Sequence, residues 1–256
     1  MTLPRLTVVT PSYNQGRFIE QTIESVLGQN YPDLEYIVMD GGSTDETVAV
    51  LQRYDGRLQW RSEPDRGQSD ALNKGLRMAT GGVVAFINSD DYYEPGALLA
   101  VGEFFAGHPG SQWVTGRCRT VDEHGREIRR AVTLYKNMYL RFGGYRALQV
   151  LNYVSQPATF WRRTMLERVG SFDESLDYAM DYDYWLRAGR EFELEVLDRY
   201  LACFRVHDTS KAGASAHAQF DVDLAIARNH ARSPVLPALH RLHNALTVAV
   251  YRILLR

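Results

Sequence analysis

Strand-like and helix-like segments alternate through the first part of this 256-residue chain, and no other feature restricts its fold as strongly. Short runs rich in β-branched and aromatic residues predict strands at 6–10, 36–39, 58–60 and 83–87. Helices are predicted between these strands at 17–28, 44–53 and 68–79. Strands that alternate with crossover helices pair in parallel in one sheet. The sequence therefore predicts an α/β fold of the nucleotide-binding type.

Four polar residues, Asn88, Ser89, Asp90 and Asp91, directly follow the apolar run 83–87. This run has the length and composition of a buried central strand, so the carboxylates should lie at its C-terminal end. Open α/β sheets bind their ligands at that edge. Two adjacent carboxylates behind an amide suit a hard cation such as Mg²⁺ or Mn²⁺. The alternative is a solvated turn in which an Asp caps the next helix.

The composition narrows the class of protein. With 45% hydrophobic and 23% charged residues, the chain can bury one large core, and we expect a single catalytic unit. The formal net charge of −2 and the scattered basic residues argue against nucleic-acid binding. Cys118 and Cys203 form no zinc or disulfide pattern, and the first residues carry no apolar secretory segment. These observations predict a cytoplasmic protein.

The pattern becomes less regular after residue 95. A helix near 97–105 and strand residues near 113–119 precede a polar hairpin at 122–125, and an irregular stretch follows. Aromatic residues are dense in this stretch, at Tyr135, Tyr139, Phe142, Tyr145 and Tyr153. Such a cluster either lines a sugar site or packs a loop-rich second half.

The last stretch of the chain, 235–255, has leucine and valine at helical spacing, with arginine and histidine between them. The charges argue against a helix that spans a membrane. The helix is expected to pack against the core or against another subunit in a homo-oligomer. The alternative is peripheral contact with an anionic membrane surface, at the inner face of the cell membrane.

A nucleotide, if one is bound, must be held without the common glycine-rich motifs, because the chain has neither a dinucleotide fingerprint nor a P-loop. Asp40 ends the second predicted strand, beside Gly41 and Gly42. Glycines there would let a base or ribose approach the backbone closely, and the carboxylate could accept a hydrogen bond from the imide N–H of uracil or thymine. Alternatively, Asp40 is a turn residue or contributes to a helix cap with Ser43 and Thr44.

Several motifs in a fixed order resemble the family-two glycosyltransferases of the GT-A fold. They are TPSYNQGRFIEQTIESVLGQNYPDLEYIVMDGGSTDET, EPDRGQSDALNKG, FINSDD and VGSFDESLDYAMDYDYWLR, and the resemblance extends from about Thr7 to about His207. It implies a nucleotide-binding α/β/α sandwich with a mostly parallel central sheet. The implied domains are a catalytic domain at 1–210, with a nucleotide-sugar half at 1–95 and an acceptor half at 96–210, and a C-terminal helical extension at 211–256.

The resemblance also implies which residues bind the nucleotide sugar. They are Thr10, Pro11 and Tyr13 around the nucleobase, Asp40 on a uracil-type base, Asp65, Asp70, Asn73 and Lys74 facing the ribose and sugar, Asn88 near the ribose, and Gln156 near the donor sugar. Asn73 has the alternative role of packing or capping its helix. Asp91, in the same loop as Asn88, is expected to stabilise the conformation of the loop without binding the metal ion itself.

The metal site follows from the same resemblance. Asp90 occupies the metal-ligand position of the family's Asp-x-Asp motif, while Asn88 replaces the first Asp of that motif. His207 matches a histidine that completes the metal shell in some relatives. The expected cofactor is therefore Mn²⁺ or Mg²⁺, held by Asp90 and His207.

The general base is assigned to Asp181, which matches the second residue of the family's usual Glu-Asp pair. Met180 replaces the Glu of this pair, and Asp183 is the rival candidate. Two carboxylates two residues apart on a helix point to different faces, so only one of them can meet the substrate.

The implied activity is inverting transfer of a sugar from a UDP- or dTDP-sugar to the hydroxyl of a glycan, lipid-linked or protein acceptor. Two alternatives remain open. One is a degenerate domain that binds a nucleotide or glycan without turnover. The other is a nucleotidyltransferase, which would need a basic, glycine-rich triphosphate loop that the N-terminal segment lacks.

Overall fold

The computed structural model describes residues 2–208, 210, 216–231 and 233–254, with side chains outside 216–219 and 248–254. The strands are β1 Leu6–Ser12, β2 Leu34–Asp40, β3 Gln59–Ser62, β4 Val83–Phe86, β5 Tyr92–Tyr93, β6 Trp113–Val121, β7 Glu127–Ile128, β8 Thr159–Arg162 and β9 Leu194–Arg205. The helices are α1 Ile19–Leu27, α2 Thr47–Gln52, α3 Gln68–Met78, α4 Ala97–Gly107, α5 Arg130–Phe142, α6 Tyr145–Leu148, α7 Arg163–Val169, α8 Met180–Ala188, α9 Ala216–His230 and α10 Val235–Leu254. A short 3₁₀ turn, Gln156–Ala158, precedes β8.

In the part of the chain that the structure describes, nine strands form one sheet in the order β3-β2-β1-β4-β8-β6-β9-β5, with β7 paired to β6. Strand β1 pairs in parallel with β2 and β4, and β2 pairs in parallel with β3. The parallel arrangement predicted from the alternation is therefore confirmed. Beyond β4 the sheet becomes mixed, because β8 is antiparallel to both β4 and β6, whereas β9 is parallel to β6.

Helices cover both faces of the sheet, since successive residues of a strand point to opposite sides. Val8 of β1 packs with α1, α2 and α4, whereas Val9 packs with α3, α7 and α8. The second face also buries the rings of Trp113, Trp161 and Trp185 completely. The result is a three-layer α/β/α sandwich, followed by the C-terminal helices α9 and α10.

Residues 130–142 and 145–148 are helical where the sequence predicted an irregular stretch, so that prediction was wrong. The sequence pattern did not predict helix α5 because the inner face of this helix is largely polar. On that face Thr133 is buried and Lys136 is half-buried, and Leu140 lies one turn after Lys136. Apolar side chains lie instead on its outer face, where Leu134 and Phe142 are 66% and 74% exposed. A helix with this inverted distribution gives no amphipathic signal of the usual kind.

The aromatic residues of this stretch are engaged in packing. Tyr153 is buried, stacks on Tyr139, and accepts a hydrogen bond from the Gly144 N–H at 3.0 Å. The Tyr145 hydroxyl donates to the Leu186 carbonyl of α8 at 3.2 Å. These contacts favour the packing alternative over a sugar site.

Two local expectations needed correction. Helix α2, predicted from residue 44, begins at Thr47 because the Asp45 carboxylate accepts hydrogen bonds from the Thr47 N–H and hydroxyl. The solvated-turn alternative for the loop after β4 is wrong, since Asp91 has no exposed surface. Strand β5 follows it, and helix α4 begins after Gly96, which has a left-handed φ of 74°.

Helix α10 packs with one side and exposes the other. His240 is buried, with its Nδ1 3.2 Å from the Gln149 carbonyl, and Asn244 donates to the Phe220 carbonyl of α9. Leu242 and Leu246 are more than half exposed. Among the residues described, no helix combines the length and apolarity that crossing a membrane requires.

Candidate active site

The loop after β4 and the end of β9 meet because β5 pairs antiparallel with β9. Tyr92 lies opposite Cys203 in this ladder, so the residues before Tyr92 lie beside those after Cys203. As a result the Asp90 Oδ2 atom is 3.0 Å from the His207 Nε2 atom, although the two residues are 117 positions apart in the chain. The structure thus brings together both side chains that the sequence assigned to the metal.

Arg205, the last residue of β9, fixes the backbone of this loop. It is 2% exposed, and its Nε donates to the Asp90 carbonyl at 2.7 Å. Its other nitrogens donate to the Glu123 carbonyl at 2.9 Å and to the Gln21 side chain at 2.5 Å. A buried, fully hydrogen-bonded guanidinium of this kind holds the loop in one conformation.

Asp91 faces away from the metal pair and into the protein. Its carboxylate accepts a hydrogen bond from the Arg205 N–H at 2.8 Å, and its carbonyl accepts one from the Thr22 hydroxyl at 2.6 Å. Burial, followed by the charge of Asp90, raises the pKa of Asp91 well above its usual range. These contacts fit the expected role in stabilising the loop.

Asn88 stands at the centre of three side-chain amides. Its Oδ1 accepts a hydrogen bond from Gln68 at 2.7 Å, and its Nδ2 donates to the Gln156 Oε1 at 3.2 Å. Gln156 in turn donates to the Phe86 carbonyl of β4 at 2.6 Å. The network holds Asn88 and Gln156 at the same end of the strand as Asp90.

The donor set fits a Mn²⁺ or Mg²⁺ ion that shares its shell with a substrate. A carboxylate and an imidazole are suitable ligands for Mn²⁺, and a hard cation commonly completes its shell with substrate phosphates and water. No cluster of three or more His, Cys, Asp or Glu side chains that could hold a metal ion occurs among the described residues. The His207 ring packs on Phe18, with centroids 4.5 Å apart, which limits the rotation of the imidazole.

Asp40 lies at the C-terminal end of β2, next to Ser12 of β1. The carboxylate is 2% exposed and accepts hydrogen bonds from the Ser43 N–H and hydroxyl and from the Ser62 hydroxyl. It also accepts the Gly42 N–H at 3.2 Å. These bonds give Asp40 the turn-stabilising role that the sequence left open, and the base-reading role stays a prediction.

The residues that the sequence assigned to the nucleobase lie at the end of β1 and just after it, and they include both buried and exposed members. Thr10 is buried, and its hydroxyl lies 3.1 Å from the Tyr36 hydroxyl, so this side chain points into the core. Pro11 is also buried. Tyr13 is 60% exposed, and Asn14 ties the loop to the one after β2 by accepting the Thr44 N–H at 2.8 Å. Tyr13 is therefore the member whose ring can meet a ligand.

Asp65 and Asp70 occupy different surroundings. A Cβ on Gly41 would lie 2.5 Å from an Asp65 carboxylate oxygen, so this carboxylate fills the space that the glycine leaves. Asp70 is 3% exposed and pairs with Arg66 and Lys74 at 3.2 and 3.3 Å. Burial alone would raise the pKa of Asp70, but the hydrogen bonds from Arg66 and Lys74 outweigh it and lower the pKa to about 2.

Asn73 points away from the loop after β4. Its Oδ1 accepts the Phe172 N–H at 3.0 Å, and its Nδ2 donates to the Phe172 carbonyl at 2.9 Å. The side chain is 3% exposed. This pair of bonds docks the segment before α8 onto α3 and favours the packing alternative for Asn73.

Helix α8 begins against the first turn of α3. Met180 lies with its sulfur 2.8 Å from the Ser69 hydroxyl, and Ser69 follows Gln68, which bonds to Asn88. Asp181 is the next residue of α8, and its role as the base stays a prediction. Burial raises the pKa of the half-buried Asp181, while Lys136 opposes this rise. A raised pKa makes a carboxylate a stronger base.

Asp183 is committed to the protein itself. Its Oδ2 accepts a hydrogen bond from Arg187 at 2.9 Å, and its Oδ1 lies 2.8 Å from His230 Nε2 of α9. Although burial raises the pKa of Asp183, His230 and Arg187 lower it below its usual range. These contacts make Asp181 the better candidate for the base.

A family model described as "Glycosyl transferase family 2" matches residues 7–170. The chain belongs to glycosyl transferase family 2. Over 190 residues it is 32% identical to a protein of Mycobacterium tuberculosis that is named an uncharacterised glycosyltransferase. The matched region covers 72% of this chain and 69% of that protein. The resemblance inferred from the motifs is thereby confirmed, and so is the class of enzyme.

The fold is also that of solved glycosyltransferases. Residues 1–349 of S. aureus TarS, solved in complex with UDP-GlcNAc, superpose with a TM-score of 0.68 at 21% identity, over 87% of this chain and 65% of that chain. The mannosyltransferase PcManGT of Pyrobaculum calidifontis, in complex with GDP-Man and Mn²⁺, gives a TM-score of 0.71 at 23% identity, over 94% and 69%. The predicted GT-A fold is confirmed, and each of these relatives extends well beyond the part that this chain spans.

Sequence reasoning missed four residues of this family-two site. Gln68 lies inside the motif EPDRGQSDALNKG, two positions before Asp70, and Arg205 lies two positions before His207. Proximity to a selected residue in the sequence could have found both. Lys136 and Asp223, which surround Asp181, lie in segments without a motif, so their charges carried no signal before the helices were placed.

Proposed function

We propose that this chain is an inverting glycosyltransferase that moves a sugar from a UDP- or dTDP-sugar to an acceptor hydroxyl. The observation that carries the proposal is that Asp90 and His207 meet at the carboxyl edge of the sheet, beside Asn88 and its amide partners Gln68 and Gln156. The nucleotide sugars bound by TarS and PcManGT support a nucleotide sugar as the donor.

The donor would lie along the carboxyl ends of β1, β2 and β4. Tyr13 offers an exposed ring to the nucleobase, and Asp40 lies beside it across the parallel pair. Asn88 and Gln156, fixed by their amide network, would face the ribose and the donor sugar. In this arrangement residues 1–95 supply most of the nucleotide contacts, and residues 96–210 supply the acceptor side.

Asp90 and His207 would hold Mn²⁺ or Mg²⁺. When bound there, the ion offsets the negative charge that develops on the leaving diphosphate and orients it. Arg205 contributes by keeping the Asp90 backbone in place.

Asp181 would act as the general base. Its carboxylate takes the proton of the acceptor hydroxyl while the acceptor oxygen forms its bond to the anomeric carbon. The bond from that carbon to the diphosphate breaks, and the leaving group departs with the electron pair. A single displacement inverts the configuration and needs no covalent intermediate.

Comparing Asp181→Asn with Asp183→Asn tests the assignment of the base. Asp181→Asn should bind UDP and Mn²⁺ like the wild type in calorimetry, while turnover falls by about 10²- to 10⁴-fold. Asp183→Asn should lose thermal stability through its pairs with Arg187 and His230 but keep turnover at low temperature. The opposite result, turnover lost with Asp183→Asn and kept with Asp181→Asn, would show that the base is misassigned.

The acceptor would be a hydroxyl of a glycan, a lipid-linked sugar or a protein, as part of polysaccharide, glycolipid or glycoprotein synthesis.

Exposed apolar side chains on α5 and α10 support a further contact of this chain, with a membrane surface or a second copy. The two helices lie side by side, since Tyr135 of α5 stacks on His243 of α10. A cavity of about 450 Å³ beside α10 adds Arg228 and Arg241. Apolar and basic groups in one region suit an anionic membrane surface at the cytoplasmic face, and a second copy of the chain is the alternative occupant.

A further inference from the structure

Asp223, on helix α9, is a buried carboxylate for which the proposed reaction has no direct use. It is 7% exposed, and its Oδ1 has no hydrogen-bond partner among the residues that the structure describes. Together with Ile226, Ala227 and His230 it forms the inner stripe of α9, at the spacing that faces a core. A carboxylate in such a position lowers stability unless neighbouring charges compensate for it.

The neighbouring charges come from two other helices. Lys136, on the inner face of α5, interacts electrostatically with both Asp223 and Asp181, and the two carboxylates interact with each other. Asp223 also interacts electrostatically with the Tyr182 hydroxyl, and Lys136 with the Cys118 thiol. One lysine thus interacts with two carboxylates, one of which is the proposed base.

Helix α9 is fixed against α8, so the position of Asp223 relative to Asp181 is fixed as well. His230, two turns after Asp223, lies 2.8 Å from Asp183 of α8. The His230 carbonyl accepts a hydrogen bond from Arg190 at 2.9 Å, just beyond the end of α8. The end of α9 is therefore tied to both the first turn of α8 and the residues that follow α8, so the two helices cannot shift independently.

We propose that Asp223 is a positioning residue for catalysis, which together with Lys136 sets the electrostatic environment of Asp181. The inference rests on the proposed role of Asp181 as the base. It also gives a catalytic purpose to the C-terminal extension, because α9 lies outside residues 7–170, where the chain matches its family.

The expected behaviour depends on the ionisation of Asp223. Burial, followed by the charge of Asp181, raises the pKa of Asp223 to about 7. Above this pH a second negative charge near Asp181 strengthens its hold on a proton, which makes it a better base. Below this pH Asp223 is neutral, and Lys136 favours the ionised form of Asp181, which makes it a weaker base. Turnover should therefore rise as the pH increases through 7.

The test is the pH dependence of turnover for the wild type, Asp223→Asn and the matched control Asp221→Asn. Asp221 is an exposed carboxylate on the same helix. With Asp223→Asn, kcat at pH 8 should fall roughly three- to tenfold, the KM for the donor should stay unchanged, and the inflection near pH 7 should disappear. Asp221→Asn should keep the wild-type profile. An Asp223→Asn profile that matches the wild type overturns the inference.

A second measurement separates this inference from the proposed function. Carbon-13 NMR of labelled aspartate carboxyls, assigned by the signal missing from Asp223→Asn, follows the titration of Asp223 without any substrate. Titration near pH 7 that shifts upward in Lys136→Gln supports the cluster, and titration near pH 4 overturns it. Full turnover by Asp181→Asn would instead contradict the proposed base while leaving the measured cluster in place.

Discussion

At the scale of single residues, neighbouring side chains of the loop after β4 contact different partners. Asp90 turns toward His207, while Asp91 turns into the protein and accepts the Arg205 N–H. Asn88 is held between two glutamine amides. Because these partners differ, substitutions at adjacent positions should affect different properties of the protein.

Replacing Asp90 by Ala should abolish the proposed metal site without unfolding the protein. Turnover should fall by at least about 10²-fold, since the developing charge of the leaving group loses its counter-charge. Calorimetry should show that Mn²⁺ no longer strengthens UDP binding. Asp33→Ala is the control, because Asp33 is an exposed carboxylate at the opposite edge of the sheet. Full activity of Asp90→Ala in the presence of chelator would contradict the metal role.

At the scale of elements, helix α3 positions the site because it lies unusually close to the sheet. A Cβ on Gly75 would be 2.4 Å from Val9 Cγ1 of β1 and 3.2 Å from Met39 Cγ of β2. The first turn of the same helix carries Gln68 and Ser69, which contact the loop after β4 and helix α8 respectively. Glycine at position 75 therefore allows α3 to approach the sheet closely, and this distance determines where Gln68 and Ser69 make their contacts.

Gly75→Ala should destabilise the protein by about 1–3 kcal/mol, because the added methyl group overpacks the interface between α3 and β1. This outcome opposes helix propensity, which favours alanine over glycine by about 1 kcal/mol. Gly107→Ala, at the end of α4, is the matched control, because its Cβ would meet no atom within 4 Å. The free energies of unfolding in urea decide between them, and equal values for both variants would refute the close approach.

Helix α10 provides a second prediction at this scale. Leu242→Ser combined with Leu246→Ser should reduce sedimentation with vesicles of phosphatidylglycerol and phosphatidylcholine, because both leucines are more than half exposed. Leu99→Ser, at an exposed leucine of α4, is the control and should leave sedimentation unchanged. Deletion of residues 235–256 should have at least the effect of the double variant. Sedimentation that survives both changes would count against membrane contact.

At the scale of the whole molecule, buried carboxylates with opposite pKa shifts set the dependence of stability on pH. The pKa of Asp70 is lowered to about 2 by Arg66 and Lys74 against the effect of burial, so its contribution is present above pH 4 and lost as the pH falls toward 2. The pKa of Asp223 is raised to about 7, so the folded state holds this proton where the unfolded state releases it. Its stabilising effect is therefore present below pH 4 and lost as the pH rises through 7.

As far as these two groups decide it, the melting temperature should consequently be highest near pH 4 and fall both toward pH 2 and toward pH 7. Asp223→Asn should melt roughly 2–4 °C above the wild type at pH 8, which corresponds to about 1 kcal/mol for a chain of this size. At pH 4 the variant and the wild type should melt at the same temperature, because Asp223 is then protonated. Scanning calorimetry at both pH values provides the measurement. A difference of the same size at both pH values would mean that the effect does not come from ionisation.

The sequence by itself determined the parallel half of the sheet, the family and the residues of the loop after β4. These features depend on short-range patterns: alternation along strands and helices, and motifs that follow strand ends directly. Asp90, Asn88 and Asp40 could be selected because each ends or follows a strand, where ligands of such sheets bind. The domain limits and the donor-binding roles stay predictions.

Only the tertiary structure decided which side chains meet. His207 reaches Asp90 through the pairing of β5 with β9, and a two-residue strand such as β5 is too short to recognise from sequence. Lys136 and Asp223 interact electrostatically with Asp181 from two other helices, and charged side chains of this kind are not selected by hydrophobic periodicity. Contacts between distant segments depend on packing, and packing leaves no local pattern when the buried face is polar.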